Sequence, residues 1–290
     1  MRFLKKICNR IFPKSIPTPI IVENITLSPS LLLNNRKVLI TGGTSGIGFA
    51  IAKACINAGA AVVITGRNKE RVNKAVHNLE ESTNSTSSIM GYVMDISNDV
   101  DLEVGLATIL KDKQWNNLDT LINNAGVCGG FMPYVTPKEF DKIISTNLKG
   151  SFFLSQLFAK HLISNKIHGN ILNISSSSSL RPAISAYNLS KWGINGLTLG
   201  LAKALIPYGI TVNGLAPGPT ATPMLLNDNN PKSLSLPNSP LGRYILPEEI
   251  ANMAVILISP LSSAIIGDTI FMTGGAGIIT LDDIKTSFEI

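Results

Sequence analysis

The chain has 290 residues, 44% of them hydrophobic and 15% charged, a composition typical of a globular protein that excludes a disordered or fibrous one. Its net charge of +6 lies mainly in the first fourteen residues, which hold five Lys and Arg and no acidic residue, so the body of the chain is not predicted to bind nucleic acid. The three cysteines show neither CxxC nor Cys/His ligand spacing, which excludes a disulfide scaffold and a zinc finger and predicts no metal site.

Residues 1–35 are predicted to be a basic N-terminal extension. Prolines at positions 13, 17, 19 and 29 interrupt any long helix, although apolar residues between Phe3 and Phe12 recur at helical spacing. An untethered tail, an organelle presequence, and a short helix that contacts an anionic membrane surface or a neighbouring subunit all fit this pattern. Charges interrupt the apolar region that a secretory signal needs, and no uncharged apolar run is long enough to span a bilayer, so we expect a cytoplasmic protein.

Regular alternation of strands and helices starts at Lys37. Short apolar strands, each followed by a helical segment, are predicted at 37–41, 60–65, 89–94, 118–122, 169–174, 210–214 and 269–272. Apolar strands that alternate with helices form parallel sheets covered on both faces. We therefore predict an α/β fold over residues 36–280, a single Rossmann-type doubly wound parallel sheet, with a tail at 281–290. An irregular stretch rich in Asn, Pro and Ser at 223–247 is predicted to be a substrate loop.

The turn after the first strand is rich in glycine and reads Thr41-Gly-Gly-Thr-Ser-Gly-Ile-Gly48. Such a turn lets the backbone approach a pyrophosphate, while the following helix aims its N-terminal N–H groups at the anion. The spacing is GxxxGxG, and tight packing alone is the alternative explanation. The second strand ends at Arg67, where a site for NAD would carry Asp or Glu. An Arg at this position favours the 2′-phosphate of NADP, unless Arg67 is a solvated loop residue.

Tyr187 and Lys191 are four residues apart in a segment of helical pattern, so the phenol and the ammonium are predicted to lie on one helix face. A phenol titrates near pH ~10 in isolation, and a nearby ammonium is expected to lower its pKa and make it a usable general acid or base. Such a pair alone is more often an ordinary helix surface. Its combination with the glycine-rich turn favours a shared site.

Five motifs occur in a fixed order along the chain: the glycine-rich turn, Asn123-Asn-Ala-Gly126, the serines at 175–179, Tyr187-x-x-x-Lys191 and Pro217-Gly-x-x-x-Thr222. Together they resemble the classical short-chain dehydrogenase/reductase family over about residues 35–275. The resemblance implies an enzyme that uses NADP(H), with NAD(H) as the alternative cofactor, and that assembles as a homotetramer or homodimer.

The resemblance also implies a role for each matching position. Tyr187 would be the catalytic acid/base, Lys191 would lower its pKa and hydrogen-bond the nicotinamide ribose, and Asn147 would hold a water that links Lys191 to solvent. Beside Tyr187 and Lys191, contacts to the cofactor are implied for Thr41, Gly42, Thr44, Ser45, Gly46, Ile47, Gly48, Arg67, Asp95, Ile96, Asn123, Ala125, Gly126, Pro217, Gly218, Thr220 and Thr222.

The catalytic serine needs a separate argument. In the family it usually lies thirteen residues before the tyrosine, and this chain has Ile174 at that position. Counting along the fifth strand instead places it at Ser176, eleven residues before Tyr187, with Ser177 as the alternative.

The activity that the resemblance implies is reversible hydride transfer between NADP(H) and a carbonyl/alcohol pair, with Ser176 polarising the carbonyl and Tyr187 donating the proton. A 3-oxoacyl thioester, a keto-sugar and a cyclic ketone all suit these residues. Two other functions remain as alternatives: a regulatory protein that binds NADP(H) without turnover, and an epimerase or dehydratase on a related extended fold. The intact Tyr187, Lys191 and Asn147 argue against the first, and the short chain argues against the second.

Overall fold

The computed structural model describes residues 31–83, 88–226 and 234–279. The predicted helix in the first twelve residues, the tail at 281–290 and part of the 223–247 loop lie outside these ranges. No helix in the described part of the chain is long and apolar enough to cross a membrane.

The described residues form one seven-stranded sheet in which every pairing is parallel. The strand order is β3-β2-β1-β4-β5-β6-β7. The strands are β1 (Lys37–Thr41), β2 (Ala61–Gly66), β3 (Ile89–Val93), β4 (Thr120–Asn123), β5 (Asn170–Ile174), β6 (Thr211–Pro217) and β7 (Thr269–Met272). The prediction of a single doubly wound parallel sheet is confirmed.

Eight α-helices lie in the described ranges: α1 (Gly46–Asn57), α2 (Lys69–Ser82), α3 (Asp99–Lys111), α4 (Pro137–Ile144), α5 (Gly150–Ser164), α6 (Ala186–Leu205), the short α7 (Pro223–Leu226) and α8 (Pro247–Ile258). A π-helical turn, Ser145–Lys149, joins α4 to α5, and a 3₁₀ turn, Ser177–Leu180, precedes α6. Helices α1, α2 and α8 cover one face of the sheet, and α3, α5 and α6 cover the other.

The continuous apolar runs of the strands follow from this double covering. In β1, Val38 and Ile40 belong to the core under α1 and α8, whereas Leu39 belongs to the core under α3 and α5. Because successive side chains in a strand point to opposite faces, a strand that is covered on both faces is apolar at every position. This is why the sequence could locate these strands without any alternation of polar residues.

Strand β6 is longer than predicted and runs three residues beyond Gly214. Gly214 pairs with Thr269 of β7, and a Cβ at position 214 would lie 2.5 Å from the Thr269 Oγ1 atom. Glycine here permits close packing against β7, whereas a sequence-based prediction treats it as the end of the strand. The extension carries Pro217 to the carboxyl edge of the sheet, where the site lies.

Candidate active site

A cleft of about 870 Å³ opens at the carboxyl ends of the strands, at the point where the strand order reverses between β1 and β4. Its volume is typical of small-molecule sites. The cleft brings together most of the predicted site residues: Gly42, Thr44, Ser45, Gly46, Ile47, Gly48, Arg67, Asp95, Ile96, Ala125, Gly126, Ser176, Tyr187, Lys191, Pro217, Gly218, Thr220 and Thr222.

The glycine-rich turn leaves the N-terminus of α1 open to this cleft. Ser45 precedes the helix, its side chain makes no capping hydrogen bond with described residues, and the first turn contains no acidic residue. By contrast, α2, α3, α4 and α6 are capped by side chains. The first N–H groups of α1 are therefore free to bind an anion, so this end of the cleft fits the pyrophosphate of a dinucleotide.

Gly42 shows why the turn needs glycine. Its φ of +65° lies in the left-handed region, and a Cβ there would lie 2.8 Å from the Cα atom of Ala125. A side chain at position 42 would push the 124–126 segment away from β1. The turn and the segment after β4 are thus packed directly against each other.

Basic side chains surround the end of the cleft beyond β2. Arg67 lines the cleft as predicted, and Arg71, in the first turn of α2, lines it as well. Asp95 follows the neighbouring strand β3 and accepts hydrogen bonds from the Ser97 backbone N–H at 2.9 Å and from the Ser97 hydroxyl at 2.7 Å.

Thr41 and Asn123 do not line the cleft, in contrast to the prediction that they contact the cofactor. The Thr41 Oγ1 atom accepts hydrogen bonds from the backbone N–H groups of Asn124 and Ala125, at 3.0 and 3.1 Å. The Asn123 Nδ2 atom donates to Ser155 at 2.8 Å and to Asn173 at 2.9 Å. Both side chains are buried, and their hydrogen bonds to neighbouring elements fix the backbone that forms the wall of the cleft.

Ser176 is the serine that the structure brings to Tyr187. The Asn188 backbone N–H donates to the Ser185 Oγ atom at 3.0 Å, which caps the N-terminus of α6 two residues before Tyr187. The Ser176 Oγ atom accepts a hydrogen bond from the Ser178 N–H at 3.1 Å. Burial raises the pKa of Tyr187 to about 12, although the nearby Ser176 side chain acts to lower it.

Lys191 lies one turn further along the same helix face. Its Nζ atom is 5.7 Å from the centre of the Tyr187 ring and donates to the carbonyl oxygen of Ile174 at 2.8 Å. Burial lowers the pKa of Lys191 to about 8. The expected lowering of the Tyr187 pKa is absent because Lys191 is buried and Tyr187 is partly buried, and desolvation disfavours the charged form of each.

Asn147 lies behind the cleft wall, within the π-helical turn. Its Oδ1 atom accepts from the Val127 N–H at 2.8 Å, and its Nδ2 atom donates to the Val127 carbonyl at 2.9 Å and to Ser190 at 3.1 Å. These bonds tie the segment after β4 to the start of α6. In the structure the Asn147 side chain therefore positions the backbone at the reacting end of the cleft.

Sequence reasoning missed Arg71 and Arg181, which both line the cleft, whereas Met224 and Leu225, which also line it, belong to the predicted substrate loop at 223–247. Burial raises the pKa of the Cys128 thiol despite the nearby charge of Lys191. Arg71 lies in the first turn of α2, directly after the β2–α2 connection that carries Arg67, so its position close to Arg67 along the chain was a usable signal. Arg181 gave no such signal, since its position depends on the turn that follows β5.

A family model described as short chain dehydrogenase matches residues 36–233. The chain belongs to the short-chain dehydrogenase/reductase family. A 3α-hydroxysteroid dehydrogenase from Mediterraneibacter gnavus is 34% identical to it over 252 residues, which cover 85% of this chain and 98% of that relative. A gluconate 5-dehydrogenase from Gluconobacter oxydans is also 34% identical, over 84% of this chain and 95% of the relative.

A solved structure of another short-chain dehydrogenase/reductase supports the same assignment. The 3-ketoacyl-(acyl-carrier-protein) reductase from Brucella melitensis, complexed with NADH, superposes with a TM-score of 0.75 at 29% identity, over 85% of this chain and 100% of that one. The present chain is thus an NAD(P)-dependent oxidoreductase that acts on CH–OH groups.

Proposed function

We propose that this enzyme interconverts a carbonyl compound and a secondary alcohol with NADP(H) as cofactor and Tyr187 as the acid/base. The observation that carries the proposal is that Ser176, Tyr187 and Lys191 line the cleft together, with the Lys191 Nζ atom 5.7 Å from the centre of the Tyr187 ring. The bound nicotinamide supplies the hydride in the reducing direction and accepts it in the oxidising direction.

Four side chains have defined tasks in the reducing direction. Ser176 hydrogen-bonds the substrate carbonyl oxygen and polarises it, and Tyr187 donates the proton to that oxygen. The pKa of about 12 keeps Tyr187 protonated at neutral pH, as a proton donor requires. Lys191 binds the nicotinamide ribose and provides positive charge beside Tyr187, and Asn147 connects Lys191 to solvent through a water.

The preference for NADP(H) rests on the charge at the β2 end of the cleft. Arg67 and Arg71 line this end, and Asp95 is the one acidic residue among the described residues that line the cleft. A guanidinium suits a 2′-phosphate, whereas a carboxylate at the end of β2 would have suited the ribose hydroxyl of NAD.

Kinetics with both cofactors test this preference. We expect the wild type to have a higher kcat/KM with NADPH than with NADH. In Arg67→Gln the ratio of these two values should fall at least ~10-fold, which is the scale of one charge-assisted hydrogen bond. Lys74→Gln, which removes an exposed charge from α2 outside the cleft, is the matched control. A wild-type preference for NADH would show that Arg67 does not bind the phosphate.

The substrate is proposed to be a ketone or secondary alcohol of the size that the cleft admits: a 3-oxoacyl thioester, a keto-sugar or a cyclic ketone. The names of the relatives, a hydroxysteroid dehydrogenase and a gluconate dehydrogenase, support the last two types. Turnover of NADPH against a panel of carbonyl compounds, and of NADP⁺ against the alcohols, tests the activity. Binding of NADPH without turnover of any substrate would instead indicate a regulatory protein.

We also propose that the enzyme is a cytoplasmic homodimer or homotetramer that forms through α5 and α6. Large apolar side chains are exposed on both helices, at Phe152, Phe153 and Ile163 on α5 and at Trp192 and Leu199 on α6. A second copy of the chain would cover them. Sedimentation of the wild type and of Trp192→Arg tests this: a wild-type monomer would contradict it.

A further inference from the structure

Arg181 is a basic residue at the reacting end of the cleft. It follows the 3₁₀ turn Ser177–Leu180 and lines the cleft together with Ser176 and Tyr187. Arg181 and Arg67 follow β5 and β2, strands that stand three positions apart in the sheet. At about 4.8 Å per strand, the carboxyl ends of these two strands are roughly 14 Å apart. Arg181 is hydrogen-bonded through its carbonyl oxygen to Trp192, the residue after Lys191, and so belongs to the reacting end of the cleft rather than to the β2 end.

The backbone of Arg181 is held in place by neighbouring elements. Its N–H donates to the carbonyl of Ser178 at 3.3 Å, and its carbonyl oxygen accepts from the indole Nε1 of Trp192, one residue after Lys191, at 2.9 Å. Its Nε atom would lie 3.3 Å from a Cβ added to Gly277. The side chain thus extends past the turn at 277, beside the cleft.

The guanidinium has no partner within the described ranges of the chain. Arg36 pairs with Asp119 and Arg243 pairs with Glu249, but no ion pair or side-chain hydrogen bond to a described residue is formed by Arg181. Asp95 stands at the opposite end of the cleft, after β3. An exposed guanidinium without a carboxylate partner, beside the reacting groups, is suited to an oxyanion from the solution.

We propose that Arg181 binds an anionic group of the substrate, a carboxylate or a phosphate ester, and makes the enzyme selective for acidic carbonyl compounds. Met224 and Leu225 are exposed and line the same cleft, so the part of the substrate between the carbonyl and the anion lies against apolar side chains. This inference rests on the proposed function, since it assigns the substrate class of that site.

Matched pairs of substrates test the inference. The carboxylate pair is 5-oxohexanoate and its methyl ester, and the phosphate pair is dihydroxyacetone phosphate and dihydroxyacetone. We expect a higher kcat/KM for the charged member of at least one pair, which also shows which oxyanion is preferred. This preference should weaken as salt is added, because the ion pair is exposed to solvent.

Three variants separate binding of the anion from other effects. Arg181→Gln should lower kcat/KM for the charged substrate about 10-fold or more, which is the scale of one charge-assisted hydrogen bond. The kcat/KM for the neutral substrate should stay within about 2-fold of the wild-type value. Arg181→Lys should restore part of the loss, because it keeps the charge. Lys203→Gln, which removes an exposed charge from α6 outside the cleft, should change neither value.

Two results would overturn the inference while the proposed function stands: equal kcat/KM for both members of each pair in the wild type, or an equal loss for both members in Arg181→Gln. A weaker Kd for NADPH in Arg181→Gln would likewise overturn it, by assigning Arg181 to the cofactor. Absence of turnover with every carbonyl compound, neutral or charged, would reject the proposed function, and the inference with it.

Discussion

Replacement of Lys191 by Met should stabilise the cofactor-free protein at neutral pH. Lys191 is 5% exposed, and burial lowers its pKa from 10.5 to about 8. Because one pKa unit corresponds to about 1.4 kcal/mol, burial of the ammonium costs about 3 kcal/mol below pH 8. The methionine loses the hydrogen bond to Ile174, worth about 1 kcal/mol. We therefore expect Lys191→Met to be more stable at pH 7 by about 2 kcal/mol.

The pH dependence gives this expectation its sign. Between pH 8 and 10.5 the folded protein has released the Lys191 proton and the unfolded chain still binds it, so the stability of the wild type rises with pH relative to the variant. By about pH 9.5 the wild type should have regained about 2 kcal/mol, and the two proteins should be nearly equal in stability. Burial raises the pKa values of Cys55 and Tyr187, but both groups are present in both proteins, so their titration cancels in the difference.

Urea unfolding of both proteins without cofactor, at about pH 7 and about pH 9.5, measures this difference. The same comparison in a Cys128→Ser background removes the thiol that interacts electrostatically with Lys191. A stability difference that is identical at the two pH values, or a variant that is less stable than the wild type at pH 7, would refute the conclusion that Lys191 is a buried ammonium with a lowered pKa.

Two further predictions concern the catalytic serine and the N-terminal extension. Ser176→Ala should lower kcat more than Ser177→Ala, because Ser176 is the serine whose side chain influences the pKa of Tyr187; a larger loss at position 177 would assign the role to the other serine. Deletion of residues 1–20 should leave kcat within a few-fold (about 3-fold) of the full-length value, because prolines separate this segment from the body of the chain. Any binding of the full-length protein to anionic vesicles should be lost in the truncation and should weaken with salt, whereas a folded truncation without turnover would place the extension at the active site or an assembly interface.

The sequence was sufficient to predict the sheet and the position of the site. Strands covered on both faces are apolar at every position, so the runs at Val38–Ile40 and Val62–Ile64 are visible without any alignment. Glycines in the first turn and the Tyr187/Lys191 spacing then identify the carboxyl edge of that sheet as the site.

Side-chain direction and burial could not be predicted in the same way. Thr41 and Asn123 stand at the ends of their strands beside the cleft, and only the packing shows that their side chains bond to neighbouring elements instead. The raised pKa of Tyr187 and the lowered pKa of Lys191 also depend on burial. Spacing along a helix indicates which charges are near each other but does not show how much water remains around them.

The most direct test of the proposed chemistry is the activity of Tyr187→Phe together with its affinity for NADPH. The phenyl ring keeps most of the contacts of Tyr187 in the cleft and removes the proton that the hydroxyl donates. We expect turnover of a carbonyl substrate to fall at least ~100-fold, the scale of a general acid's contribution, while the Kd for NADPH stays nearly unchanged. A variant that binds NADPH normally and keeps most of the wild-type kcat would show that Tyr187 is not the acid/base.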